Sequence, residues 1–275
     1  MSAPTAPSSL RVPTVLGDVA ITVAGSGPAL LLWPSLLMTG SLWAAQADRF
    51  AATHTVIAVD PPGHGASDPL RSAFTFEQCA QVIEQILDHL EIDAAHVVGN
   101  SWGGMIGITF AATRPQRTRS CVLMNCTASP AGHRQRLEYG LLVRAARLRG
   151  GLKPPLTGSA VNAFLGPTSE RTRPDVVAHV RAAALAVNIA SARWAVTSVV
   201  PRRPDQRALL PTISAPVLVV AGREDRTFPV PEVQIVADGI PEARFVVIED
   251  AAHLAALEVP DRVNELLDEH LAGVG

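Results

Sequence analysis

Ser101 stands in Gly99-Asn100-Ser101-Trp102-Gly103-Gly104, with an apolar run at 96–98 before it and a helical pattern at 105–112 after it. A serine hydroxyl is a weak nucleophile, and attack on an acyl carbon needs it exposed, close to a base and near amides that receive the developing oxyanion. A strand that turns sharply into a helix meets the first need, because the turn lifts its central side chain clear of the sheet. The nucleophile then adopts a strained backbone, so the residues two before and two after it must carry almost no side chain. Gly99 and Gly103 satisfy that demand. The bland alternative is a Gly/Ser turn ahead of an ordinary helix; the order strand, Gly-x-Ser-x-Gly, helix favours the nucleophile.

This arrangement resembles the nucleophile elbow of the α/β-hydrolase superfamily, serine branch. The resemblance covers about residues 15–128 and 208–272. It implies a chain order of serine, then acid, then histidine. His253 lies in Asp250-Ala251-Ala252-His253-Leu254, between an apolar run at 245–248 and a final helical pattern at 260–271, where the superfamily keeps its base. His270 is expected instead to be a solvated side chain near the end of the last helix. Ala221-Gly222-Arg223-Glu224-Asp225 follows the run at 216–220 and resembles the family's Gly-x-x-Asp, which makes Asp225 the acid that orients the imidazole. Glu224 takes that role only if the turn shifts by one residue. Asp250, close in sequence, is expected to point away.

The oxyanion hole implied by the family takes one amide from Trp102 and one from the loop after Ala29–Trp33. The family's His-Gly is replaced there by Pro34-Ser35, and Leu36 aligns with the donor, with Ser35 as the alternative. Asp60-Pro61-Pro62-Gly63-His64-Gly65 also matches the family and is read as scaffold. Apolar pocket candidates are Trp33, Leu36, Leu37, Met38 and Trp102 from the core loops, and Leu141, Phe164 and Trp194 from the inserted segment. Arg134, Arg144 or Arg193 are the arginines weighed as holders of a substrate carboxylate.

The elements that must carry these residues are legible in the apolar pattern. Residues 19–23 read as a strand entering a turn at 25–28; continuous apolar runs at Ala29–Trp33, Thr55–Val59, 96–98, 120–124, 216–220 and 245–248 read as strands buried on both faces, the mark of a parallel sheet covered by helices. Residues 76–90 carry Val82, Ile83, Ile86, Leu87 and Leu90 at helical spacing, with Thr75 as N-cap. Strands alternating with helices predict an α/β-hydrolase fold: a mostly parallel central sheet flanked by helices, with a helical cap inserted after the sixth strand. The core domain is expected at 1–128 and 208–275, and the cap at 129–207, where helical patterns run over 135–148 and 175–199 without a strand.

Composition removes other classes. Hydrophobic residues make up 48% of the 275, enough for a packed core. With 23 basic against 25 acidic residues and no block of one sign, neither nucleic acid nor an anionic membrane is an expected partner. Residues 1–13, rich in Ser, Pro and Ala, lack the apolar core of a signal peptide. No apolar run approaches the roughly 20 residues of a membrane span. Cys79, Cys121 and Cys126 form no metal-binding or Cys-x-x-Cys spacing, and a buried free thiol suits a reducing cytoplasm. No metal or organic cofactor is implied, and a monomer or homodimer is expected.

Within the superfamily, Leu36-Leu37-Met38-Thr39-Gly40-Ser41-Leu42-Trp43, Ala251-Ala252-His253-Leu254 and Arg203-Pro204-Asp205 leading to Leu209-Leu210-Pro211 look closest to 3-oxoadipate enol-lactonases and related esterases. A serine nucleophile argues against the ester-intermediate route of haloalkane dehalogenases and epoxide hydrolases. The expectation is hydrolysis of a small to medium, largely apolar carboxylic ester or lactone. C–C bond hydrolysis, cofactor-free perhydrolysis and a non-catalytic ligand receptor are the alternatives, since one fold hosts many chemistries.

Overall fold

The computed structural model describes residues 7–274. Eight strands form one sheet: β1 (Ser8–Thr14), β2 (Gly17–Ala24), β3 (Ala29–Trp33), β4 (Thr55–Val59), β5 (Ala95–Asn100), β6 (Thr118–Met124), β7 (Val217–Gly222) and β8 (Arg244–Ile248), in the spatial order β1-β2-β4-β3-β5-β6-β7-β8. β2 pairs antiparallel with both β1 and β4, and every pairing from β4 through β8 is parallel. β3, β5 and β7 are buried along their whole length, as strands covered on both faces must be.

β1 is the element that the apolar pattern did not announce. Of its seven residues only Val12 is buried, and it carries Pro13, which only an edge strand tolerates because it donates no ladder hydrogen bond. Residues 1–6 of the Ser/Pro/Ala-rich segment lie outside the described residues.

Helices α1 (Ala44–Phe50), α2 (Phe76–His89) and α3 (Trp102–Thr113) connect the first strands. Thr75 caps α2 as expected: its hydroxyl accepts from the Gln78 amide while the Gln78 side chain accepts from the Thr75 amide. α3 is apolar all round and buried, which suits a helix pressed between β5, β6 and α2. Five helices follow β6: α4 (His133–Arg149), α5 (Leu156–Phe164), α6 (Pro167–Thr172), α7 (Pro174–Ala186) and α8 (Ile189–Val199). The helical pattern at 175–199 is thus two helices, which bend by 107° at a break between Ala186 and Ile189. Asn188 makes the break, its side chain accepting from the Ala190 amide as the N-cap of α8. α9 (Val230–Gly239), α10 (Ala255–Glu258) and α11 (Pro260–Ala272) complete the chain. No single helix among the described residues is long and apolar enough to cross a membrane.

His270 is not solvated: it is 9% exposed on the inner side of α11, because the apolar stripe of Val263, Leu266 and Leu267 turns that position towards the sheet. It belongs with His54 and His96, and burial lowers the pKa of all three, His96 to about 4; neighbouring positive charges add to the effect at His96 and His270, while the Asp268 carboxylate opposes it at His54. The fold accepts these rings neutral. Below about pH 6.5 the unfolded chain takes up protons that the folded chain refuses, so stability is unaffected above that pH and falls as pH drops towards 4. For His96 alone the loss is on the order of 2 kcal/mol. Urea midpoints measured from pH 4 to 7 should fall on acidification, and His96→Gln should flatten part of the slope. An unchanged slope would remove His96 from the account.

Candidate active site

Ser101 sits between the end of β5 and the start of α3 with φ 55° and ψ −108°, a conformation L-residues avoid. The two flanking glycines explain how the turn is tolerated. A Cβ on Gly99 would run into the backbone of Gly103, and one on Gly103 into the carbonyl of Trp33. Helix α3 therefore packs on the strand ends without a side chain between. Gly99→Ala is expected to destabilise by roughly 4 kcal/mol or more, seen as loss of folded protein or a large drop in Tm. Gly140→Ala is the contrast: nothing lies within 4 Å of the added Cβ, and an exposed α4 interior should gain about 0.5–1 kcal/mol. Equal behaviour of the two variants would contradict the close-packing argument.

His253 follows β8, and Asp225 follows β7. The fold brings them together across 28 residues of sequence: His253 Nδ1 lies 2.8 Å from Asp225 Oδ2, with side-chain exposures of 1% and 0%. Asp225 is held at both oxygens. Oδ1 accepts from the amides of Thr227 at 2.7 Å and Phe228 at 3.0 Å, and Oδ2 also accepts from Asn125 Nδ2 at 3.1 Å. Glu224 points elsewhere, accepting from the amide and hydroxyl of Thr168. Asp250 pairs with Arg173 at the surface.

The imidazole is fixed from several directions. Its ring stacks on Phe164 at 5.7 Å between centroids and meets Phe228 at 5.6 Å. Its backbone amide donates to the Phe164 carbonyl, and its carbonyl accepts from Asn100 Nδ2 at 2.8 Å. Buried Glu258 accepts from the amides of Ala252 and Leu254 on either side, and burial raises its pKa. Ser101 and His253 open onto one cavity, whose empty space is about 1020 Å³ with the solvent at its mouth included. Among the described residues the Ser101 hydroxyl makes no hydrogen bond; in apo sites such bonds often tighten only when substrate is held.

The loop after β3 borders the same cavity through Leu36 and Leu37. Met38 donates to the Ser35 carbonyl, closing a turn that holds Leu37 at φ 66°. The Leu37 amide is taken by His64 Nε2 at 3.1 Å, while His64 Nδ1 faces the Pro62 carbonyl. Burial keeps the His64 pKa below its ordinary value, and the neutral ring is the form that can accept from Leu37 while donating to Pro62. The Leu36 amide has no partner among the described residues, and Leu36 lines the cavity. The Trp102 amide is the first of α3, which a helix leaves without an internal partner. These two amides can serve an oxyanion.

Of the expected pocket side chains, Leu36, Leu37 and Phe164 line the cavity. Trp33 and Trp102 do not; they meet edge to face at 5.6 Å in the core, with Phe74 stacked on Trp102. Met38 is buried in the core layer on the other face of the sheet. Leu141 is 69% exposed, because the cavity face of α4 is Gln135, Tyr139, Leu142, Val143 and Ala146 at helical spacing, and Leu141 falls on the outer side. Trp194 is likewise off the α8 face formed by Ile189, Val196 and Val199, and carries the Arg193 guanidinium 3.8 Å above its ring. None of Arg134, Arg144 and Arg193 reaches the cavity; Arg134 pairs with Glu138 at the surface. Arg203, quoted above only as part of the segment Arg203-Pro204-Asp205, lines the cavity, and so does Phe228.

A family model described as alpha/beta hydrolase fold matches residues 28–260. The chain belongs to the α/β-hydrolase fold family. Among the relatives of this α/β hydrolase, 3-oxoadipate enol-lactonase 2 of Acinetobacter baylyi is 30% identical over 91% of this chain and 92% of that protein. The putative carbamate hydrolase RutD of Azorhizobium caulinodans is 27% identical over 91% of this chain and 93% of that protein. Among solved structures, a thermophilic esterase from Thermogutta terrifontis superposes with a TM-score of 0.89 at 26% identity, covering 97% of this chain and 99% of that one. With these relatives the α/β hydrolase is a hydrolytic enzyme; the bond it cleaves is a separate question.

Proposed function

We propose that the protein is a serine hydrolase that cleaves a carboxylic ester or lactone through an acyl-enzyme. Ser101 is the nucleophile, His253 the general base and acid, Asp225 the carboxylate that orients the ring, and the amides of Trp102 and Leu36 the oxyanion hole. The reading is carried by the buried 2.8 Å contact between Asp225 and His253 Nδ1, directly beside the cavity that Ser101 lines. A proton on Nδ1 donated to Asp225 leaves Nε2 bare to accept the serine proton. As Ser101 Oγ bonds to the acyl carbon, the carbonyl electron pair moves onto oxygen and is met by the two amides. Collapse expels the leaving alkoxide, which takes the proton from His253. Water deprotonated by the same ring then attacks the acyl carbon and frees Ser101 and the acid.

The cavity wall is largely Leu, Val, Ala and Phe, which supports a substrate with an apolar body. Purified protein assayed against matched esters, lactones, carbamates and vinylogous diketones should turn over the esters or lactones fastest. Preference for the diketones by a tenfold margin would shift the reading to C–C hydrolysis on the same residues, and preference for carbamates would shift it to that bond.

A further inference from the structure

α4 is apolar on two opposite sides. Its inner side lines the cavity, and the outer one carries Leu137, Leu141 and Leu148, which are 71%, 69% and 82% exposed. At 100° per residue the three leucines fall within roughly 40° of one another, opposite Ala146, the one buried residue of the helix. Single exposed leucines are ordinary on a protein surface, whereas a stripe of them along one helix face marks a contact surface.

The stripe is set in positive charge. Six of the chain's 23 basic residues lie between 133 and 153, namely Arg134, Arg136, Arg144, Arg147, Arg149 and Lys153, against one of its 25 acidic residues, Glu138. All six are exposed. Arg134 pairs with Glu138, and the other five have no carboxylate partner among the described residues. On the helix, Arg134 and Arg144 fall on the two edges of the leucine stripe. The near-neutral total hides this segment, because acidic residues are in excess over the rest of the chain.

We propose that the outer face of α4 is a docking surface for an anionic lipid bilayer, with the leucines entering the acyl boundary and the arginines meeting the headgroup phosphates. An apolar stripe edged by cations is the pattern of a helix that lies in the plane of a lipid interface. Arginine stems cover apolar surface while their heads reach the phosphates, and each cation near an anionic leaflet adds attraction. A second copy of the chain fits the stripe less well. A two-fold contact sets the same patch on both partners, so the cationic edges of both copies would crowd into one seam. The inner side of the same helix lines the cavity, so docking holds the cavity about one helix diameter, ~10 Å, from the lipid.

The test is flotation of the purified full chain with vesicles of pure phosphatidylcholine and with vesicles in which roughly one-third of the lipid is phosphatidylglycerol. Partition should be about tenfold or more stronger on the anionic vesicles and should weaken as salt rises to about 0.5 M. Leu137→Gln, Leu141→Gln and Leu148→Gln combined should lower partition by about tenfold or more. Arg144→Glu with Arg147→Glu should abolish the preference for anionic lipid. None of these five side chains lines the cavity, so both variants should keep a wild-type Tm, which separates lost docking from lost folding. No readout depends on turnover, so the bond that Ser101 attacks does not enter. Absence of flotation with anionic vesicles, equal partition on the two lipids, or unchanged partition in the leucine variant would overturn the proposal. So would a dimer in analytical ultracentrifugation that the leucine variant converts to monomer, since the stripe would then be covered by a second copy.

Discussion

Ser101→Ala is expected to lower kcat on p-nitrophenyl butyrate by about 10⁴–10⁶ while Tm stays within a few degrees of the wild type. The argument is that the hydroxyl has no structural task. The turn is held by the Ser101 amide donating to the Met124 carbonyl at 2.8 Å and by its own carbonyl accepting from Met105 at 3.0 Å, both of which alanine keeps. Alanine meets the same strained φ at no added cost, because its Cβ occupies the position already taken by that of serine. Residual activity should reflect the oxyanion amides and binding alone. A variant that keeps a tenth of wild-type kcat would mean that another group attacks the substrate.

Asp225→Asn should lower kcat by about 10⁴, and the hydrogen bonds around the carboxylate give the reason. Two backbone amides, from Thr227 and Phe228, point at Oδ1, so asparagine must keep its oxygen there. Its NH₂ then replaces Oδ2 and faces His253 Nδ1. Two donors cannot face each other, so Nδ1 gives up its proton and Nε2 carries it instead. That tautomer cannot accept from Ser101. The Asn125 Nδ2 donor is left facing the same NH₂, which adds strain. Glu224→Gln should stay within about tenfold of wild type, because Glu224 binds Thr168 and not the imidazole. The reverse outcome, an active Asp225→Asn beside an inactive Glu224→Gln, would move the acid by one residue.

The positions that a backbone constraint imposes were legible in the sequence. Gly99 and Gly103 are there because Gly103 and Trp33 leave no room for a Cβ, so the elbow is visible as a pattern before any coordinates. The loops after β7 and β8 were legible because the apolar runs locate the strand ends, and Asp225 and His253 follow them. The two partners of the imidazole face were harder. Phe164 stood among many apolar candidates, and Phe228 stood beside the acid without a motif of its own.

What stayed hidden is what depends on rotation about a helix axis. Leu141 and Leu142 are adjacent in sequence, yet only Leu142 lines the cavity, because 100° of helical turn separates them. Trp33 and Met38 are apolar residues at and after the end of β3, but large apolar side chains there pack inward, where they bury most area. Arg203 was one arginine among many. Its distinction is three-dimensional: burial, with Nε on the Ser129 carbonyl and Nη2 on Gln135 Oε1.

All of this depends on the hydroxyl at position 101 being the activated group of the cavity. Incubation with a fluorophosphonate, followed by peptide mass mapping, reads that directly. The account predicts one covalent adduct per chain, on Ser101, with hydrolysis lost in step with labelling. Folded protein that turns over esters while Ser101 stays unmodified, or an adduct on any other residue, would contradict it.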